Sequence, residues 1–311
     1  MNLDPVIPFF LLGILARLVK SDLRLPEALY EALSVYLLLA LGLKGGVELA
    51  KHPAAGLLPQ VLAVIALGLV LPLLAFAGLR RMVGLDRPNA AAIAAHYGSV
   101  SVVTFAAGVA WLETRGIAFE AYLALFLAIL EVPGIVVGVL LARGLRVGAG
   151  FGPMLREVLT GKSVLLLLGG LAIGALLGPA GLKSTAPLFV DLFKGALCLF
   201  MLELGLVTGR QLSQLRRSGP RLVVFAVLTP LLFGFAGAAL GNLLGLSVGG
   251  AALLGTLAAS ASYIAAPAAM RVAVPEANPG ISLPIVLGVT FPFNVFIGLE
   301  VYHAYAVHLA R

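Results

Sequence analysis

Charge is scarce in this chain. Only 11% of its 311 residues are charged, against about 25% in a soluble domain. Surface helices of a soluble all-α protein need polar faces, and no run here supplies one of sufficient length. Cysteine is nearly absent. Cys198, inside the apolar run Leu197–Phe200, is the only one, so no internal disulfide forms and the redox compartment is unmarked. Catalytic signatures are missing as well: there is no His-Glu-x-x-His and no phosphate-binding loop, so no such motif speaks for an enzyme. The opening Met-Asn-Leu-Asp-Pro carries no basic stretch, and no cleaved signal peptide is expected there.

What the chain does have is apolar length. Hydrophobic residues make up 61% and come in uncharged runs of about 20, the length that spans the hydrocarbon core. Gly (37) and Pro (18) are plentiful, and membrane helices tolerate both when neighbours satisfy the freed backbone groups. The fold class is therefore an all-α membrane protein. Ten spans are read over 4–19, 27–43, 54–79, 88–111, 118–142, 162–178, 186–206, 220–243, 248–271 and 281–306, with the longest polar break over 143–162. Basic residues sort by side. The connections near 17–24, 80–87, 143–162 and 210–221, together with Arg271, hold fifteen Lys and Arg; Lys44, Lys51, Arg115, Lys183 and Arg311 make five on the other side, and Lys194 lies inside a span. Cytoplasmic loops are rich in Lys and Arg, so both termini are expected to face outward. The same rule accounts for the net charge of +7 without a nucleic-acid partner.

The second half echoes the first. Leu41-Gly42-Leu43-x-x-Gly46-x-x-Leu49 returns 163 residues later as Leu204-Gly205-Leu206-x-x-Gly209-x-x-Leu212, and Ser99 falls on Ser262. Glu131-Val132-Pro133 and Thr290-Phe291-Pro292 occupy nearly equivalent places. Five spans per half is an odd number, so the halves enter the bilayer in opposite senses, the inverted-repeat plan of many secondary transporters.

Two equivalent spans carry mid-span hydroxyls and helix breakers. The fourth reads His96-Tyr97-Gly98-Ser99-Val100-Ser101 and continues to Thr104; the ninth reads Ser260-Ala261-Ser262-Tyr263 and continues to Pro267. Gly98 weakens a helix and Pro267 removes a donor. Freed backbone groups survive in a membrane only when buried in protein or lining a cavity. Helix N-termini favour anions, whereas carbonyl and hydroxyl oxygens suit a hard cation such as sodium. Helix–helix packing is the competing explanation for the hydroxyls. Glu131 and Glu203 are candidates because ionisable residues within spans often serve function. His96 reads as a hydrogen-bonded packing residue, and Asn294 as a partner for backbone opened near Pro292.

With Leu41-Gly42-Leu43-Lys44-Gly45-Gly46, Glu131-Val132-Pro133, Ala259-Ser260-Ala261-Ser262, Arg271-Val272-Ala273-Val274-Pro275-Glu276-Ala277-Asn278-Pro279 and Thr290-Phe291-Pro292-Phe293-Asn294 in order, the chain resembles the sodium-dependent bicarbonate transporters of cyanobacterial type. The resemblance implies two inverted repeats of five spans, with broken helices 4 and 9 crossing. It implies a gate domain over 1–53 and 162–217, a core domain over 54–145 and 218–311, a cytoplasmic linker over 146–161, and a homotrimer. Substrate would lie near Gly98, Ser99, Ser101, Thr104, Ser260, Ser262 and Tyr263; Ser101, Thr104, Ser260 and Ser262 are the sodium ligands it suggests. The chain departs from the family pattern at Tyr263, where the serine cluster continues with an aspartate, and at Val102 and Val103, which replace a Gly-Ser pair. The short linker leaves a PII-like regulatory partner open. The leading expectation is sodium-coupled transport of bicarbonate or a similar small monovalent anion, with no cofactor beyond the carried ion. A small organic acid carried on the same fold with sodium or protons, or a non-transporting membrane scaffold, are the alternatives.

Overall fold

The computed structural model describes residues 4–52, 54–144, 151–215 and 219–311, and among these it holds helices and no strand. In chain order the helices are α1 (Val6–Leu18), α2 (Glu27–Leu49), α3 (Ala54–Gly78), α4 (Arg87–Gly98), α5 (Val102–Thr114), α6 (Leu123–Leu130), α7 (Pro133–Ala142) and α8 (Phe151–Leu159). There follow α9 (Lys162–Ala186), α10 (Phe193–Leu215), α11 (Pro220–Leu243), α12 (Val248–Ala259), α13 (Ala265–Ala273), α14 (Pro279–Ile285), α15 (Phe291–Phe293) and α16 (Leu299–Leu309). Wide π turns over Val286–Thr290 and Asn294–Gly298 join α14, α15 and α16.

Seven runs are long and apolar enough to cross a bilayer: Glu27–Leu49, Gly56–Val83, Arg87–Thr114, Leu123–Ala142, Lys162–Leu212, Pro220–Leu243 and Pro279–Leu309. Two shorter apolar helices, α1 and α12, accompany them. The Lys162–Leu212 run has 51 residues, which would extend about 75 Å as one helix, more than twice the hydrocarbon thickness. It is broken at Gly178, whose backbone (φ 63°, ψ −168°) precedes Pro179.

Three details differ from the sequence reading. The second and seventh apolar runs stay helical to Leu49 and Leu215 instead of ending at 43 and 206. The fifth divides into α6 and α7, because Pro133 has no N–H for the turn before it. The linker, expected as a polar break, contains α8, in which Met154 and Val158, four residues apart, bury one face against Ala269, Met270 and Ala273 of α13. Pro53, Arg146, Arg216 and Arg217, used in the loop and domain readings, lie outside the described residues.

Glycine sets the closest approaches. A Cβ on Gly46 of α2 would lie 2.1 Å from the Leu171 carbonyl oxygen of α9, and one on Gly205 of α10 would lie 2.2 Å from the Phe10 carbonyl oxygen of α1. Both copies of the repeated motif thus bring a helix backbone against a helix from the opposite half. Around the polar stretches, α4 packs on α3, α7 and α13, while α5 packs on α12. The two interrupted segments therefore meet.

Candidate functional site

The site starts from two gaps. Helix α4 stops at Gly98, the chain runs extended through Ser99 and Ser101, and α5 begins at Val102 with the Ser101 hydroxyl accepting from Thr104 N at 3.2 Å. Helix α12 stops at Ala259, Ser260 is extended, and the Ser262 hydroxyl accepts from Ala266 N of α13 at 3.2 Å. Serines are suited to such places because a side-chain oxygen replaces the missing helical acceptor.

The gaps also satisfy each other. Ser101 N donates to Ser260 Oγ at 3.0 Å, and Ser262 N donates to the His96 carbonyl at 2.9 Å. His96 Nδ1 bonds the Ser262 carbonyl, in keeping with a packing role. The N-termini of α5 and α13 converge beside the C-termini of α4 and α12. Partial positive charge at those N-termini thus lies next to carbonyl oxygens, which is the equipment for an anion and a cation side by side.

The named residues do different things within this arrangement. Ser101, Ser262 and Tyr263 line a small cavity of about 10 Å³ with Val100, Val102, Val103, Glu131, Ser163 and Ile264. That volume is about one water. The Tyr263 hydroxyl is buried and points toward Ser101 without a hydrogen bond of acceptable geometry, while its ring packs edge-on against Phe291 at 6.1 Å. Ser260 is taken up by Ser101 N and by donating to the Leu257 carbonyl at 2.8 Å. Ser99 turns away, donating to the Glu131 carbonyl at 3.0 Å and lying 3.3 Å from Glu131 Oε2. Gly98 abuts Pro72 and Gly134, and Thr104 is buried in the first turn of α5; neither lines the cavity.

Ser163, at the start of α9, was not among the sequence candidates. It is buried, and only the approach of α9 to the crossing brings it there. Asn294 works elsewhere than expected: its Nδ2 donates to the Ala259 carbonyl at the end of α12 (2.8 Å), and its Oδ1 accepts from the Tyr302 hydroxyl (2.8 Å). Behind the small cavity, a larger one of about 220 Å³ is lined by Glu131, Ser163, Glu157, Lys162, Ile264 and Ala268, among others. Glu131, Ser163 and Ile264 belong to both.

Gly245-Leu246-Ser247-Val248-Gly249 has the spacing of a nucleophile elbow. Ser247 instead caps α12 through Gly250 N (3.1 Å) and bonds Glu120 (3.0 Å), and no strand precedes it among the described residues. Among those residues, too, no three His, Cys, Asp or Glu side chains group as a metal site.

A family model described as the Na+-dependent bicarbonate transporter superfamily matches residues 5–307. The curated proteins give no match.

Proposed function

The chain belongs to the Na+-dependent bicarbonate transporter superfamily, and from that membership we propose that this multi-pass membrane protein takes up bicarbonate, or a similar small monovalent anion, together with sodium by alternating access. The observation that carries the reading is the meeting of two helix N-termini, α5 and α13, with the carbonyl ends of α4 and α12 beside them. An anion entering a cell that is negative inside works against about 2.3 kcal/mol per charge at 100 mV. Unaided, it would settle roughly 50-fold below the outside level. One sodium per anion cancels that charge and leaves the sodium gradient as the driving force.

The proposed architecture is ten spans in two inverted halves, with a gate (1–53 and 162–217) moving against a core (54–145 and 218–311) in a homotrimer. The reciprocal glycine contacts of α2 with α9 and of α1 with α10 support the two-half plan. Contacts on the loop side poor in Lys and Arg support a state closed outward. Lys44 pairs with Glu113 at 3.3 Å, and Asp4 accepts from Thr114 (2.8 Å) and Lys194 (3.3 Å). The Lys44–Glu113 and Asp4–Thr114 contacts link proposed gate to proposed core, with Lys194 holding Asp4 from within the gate, while the 220 Å³ cavity lies between the same two parts at the linker end. The apolar wall of that cavity, Val158, Ile264, Ala265 and Ala268, favours a small organic acid as the second substrate reading.

Purified protein in liposomes tests the function, with bicarbonate and a panel of small organic acids offered under a sodium gradient. Uptake of bicarbonate that needs sodium is expected. Uptake unchanged when a large organic cation replaces sodium would overturn the coupling, and preference for an organic acid would overturn the substrate.

Orientation gives a separate prediction. In a Cys198→Ala background, Lys51→Cys should react with an impermeant thiol reagent in sealed cells, and Arg81→Cys only after permeabilisation. Both side chains are exposed. The reverse pattern would invert the proposed topology.

A further inference from the structure

Three acidic side chains are buried among the described residues: Asp4, Glu131 and Glu203. Asp4 is matched by Lys194 and Thr114. Glu203 stands on α10 and lines neither cavity at the crossing. Glu131 is different. It is 2% exposed, yet it faces both the water-sized cavity and the larger one at the linker end. No Lys, Arg or His among the described residues forms an ion pair with it. The one side-chain hydrogen bond recorded to its carboxyl is the long one from Ser99. An isolated carboxylate in such a place is costly unless a cation balances it.

We infer that Glu131 is the side chain that holds the co-transported sodium, at the cavity it shares with Ser101, Ser163 and Ser262; the inference rests on the sodium-coupled reading above. The oxygens present suit the ion. One carboxylate and several hydroxyls make a hard, oxygen-only set, and a cavity of about 10 Å³ admits a particle of about the size of a water. The location explains the order of charges. A bare carboxylate would repel the anion drawn to the N-termini of α5 and α13; a sodium ion between them attracts it. Each ligand then raises the affinity for the other by the same factor. The position also suggests a direction of release: Glu131, Ser163 and Ile264 line both the small cavity and the one where Lys162 and Glu157 stand, so an ion held at Glu131 lies next to the linker-end cavity. This assigns to the turn between α6 and α7 the acidic group that Tyr263 does not supply from the ninth span.

The test is Glu131→Gln. Glutamine keeps the shape and an acceptor for Ser99, so a purely structural role would leave sodium dependence unmoved. Uptake is measured in liposomes across sodium concentrations, with unfolding midpoints of the detergent-purified protein in sodium and in a large organic cation. The expected result is a half-saturating sodium concentration raised at least about tenfold, the order of one lost interaction with a charged group, and loss of the sodium-induced rise in unfolding midpoint. A variant with wild-type sodium half-saturation overturns the inference and leaves the sodium-coupled reading intact. Wild-type uptake indifferent to sodium overturns that reading, and shows in the wild-type arm alone. If Glu131→Gln does not fold, Glu131→Asp keeps the charge but withdraws it by one methylene. Weakened sodium half-saturation in that variant supports the inference, and an unchanged value overturns it.

Discussion

Ser101→Ala and Ser262→Ala should each lower the apparent affinity for the transported ions, which bind interdependently, by roughly 10- to 150-fold. A hydrogen bond to a charged group contributes about 1.5–3 kcal/mol, and 1.4 kcal/mol is a factor of ten. Both hydroxyls line the small cavity, and both also close a helix end: Ser101 Oγ accepts from Thr104 N, and Ser262 Oγ accepts from Ala266 N. Alanine at a helix N-cap costs about 0.5–2 kcal/mol of stability, whereas glycine costs only a few tenths. Ser101→Gly separates the two roles. If the hydroxyl serves only as a cap, glycine restores the unfolding midpoint and uptake together. If it also meets the ions, the glycine variant regains stability while uptake stays as low as in alanine. Radiolabelled uptake over a range of anion concentrations, beside the unfolding midpoint of each variant, distinguishes these results. Wild-type kinetics in both alanine variants would move the site away from the crossing.

The helical character of the chain was legible from composition, because apolar runs of about 20 residues leave the backbone few other choices in hydrocarbon. The gaps in α4–α5 and α12–α13 were legible too, since Ser99, Ser101, Ser260 and Ser262 stand where an unbroken apolar helix has no use for them. Their contacts were harder to read. Gly98 looks in sequence like a loosened helix beside a ligand; in space it is a flat place where Gly134 and Pro72 pack. Ser163 opens an apolar helix far along the chain, and only the docking of α9 brings it to Glu131. Helix α8 was within reach of the sequence, since Phe151, Met154, Leu155, Val158 and Leu159 recur at helical spacing; its nine residues are short and lie in a polar break, and Met154 and Val158 find their partner only in α13. The seat of Asn294 against the Ala259 carbonyl depends on how α12 approaches the α15–α16 region, which no local pattern encodes.

Gly134→Ala should abolish uptake and most of the folded protein, the largest effect expected of any single methyl group here. A Cβ at that position would stand 2.0 Å from the Gly98 carbonyl carbon, 2.2 Å from its oxygen and 2.5 Å from Ser99 N. All three atoms are backbone, so no side-chain rotation relieves the overlap. Added methylenes in a packed core typically cost about 1–3 kcal/mol even where side chains can yield. Here helix α7 or the gap after α4 has to move, and Pro72, which also packs against Gly98, limits the second option. Moving α7 shifts the turn that carries Glu131, three residues earlier, along with its contact to Ser99. Any protein that still folds should therefore lose uptake through a displaced carboxylate as well as through lower stability. Gly195→Ala is the matching control: nothing lies within 4 Å of the added atom, and alanine in place of glycine within a helix gains up to about 1 kcal/mol. The yield of monodisperse detergent-purified protein, its unfolding midpoint and its uptake in liposomes measure the contrast. Wild-type values of all three in Gly134→Ala would mean that α7 does not press on the gap. The placement of Glu131 beside the crossing would then lose its structural basis, because the contact of Gly134 with Gly98 is what brings that turn to the broken helix.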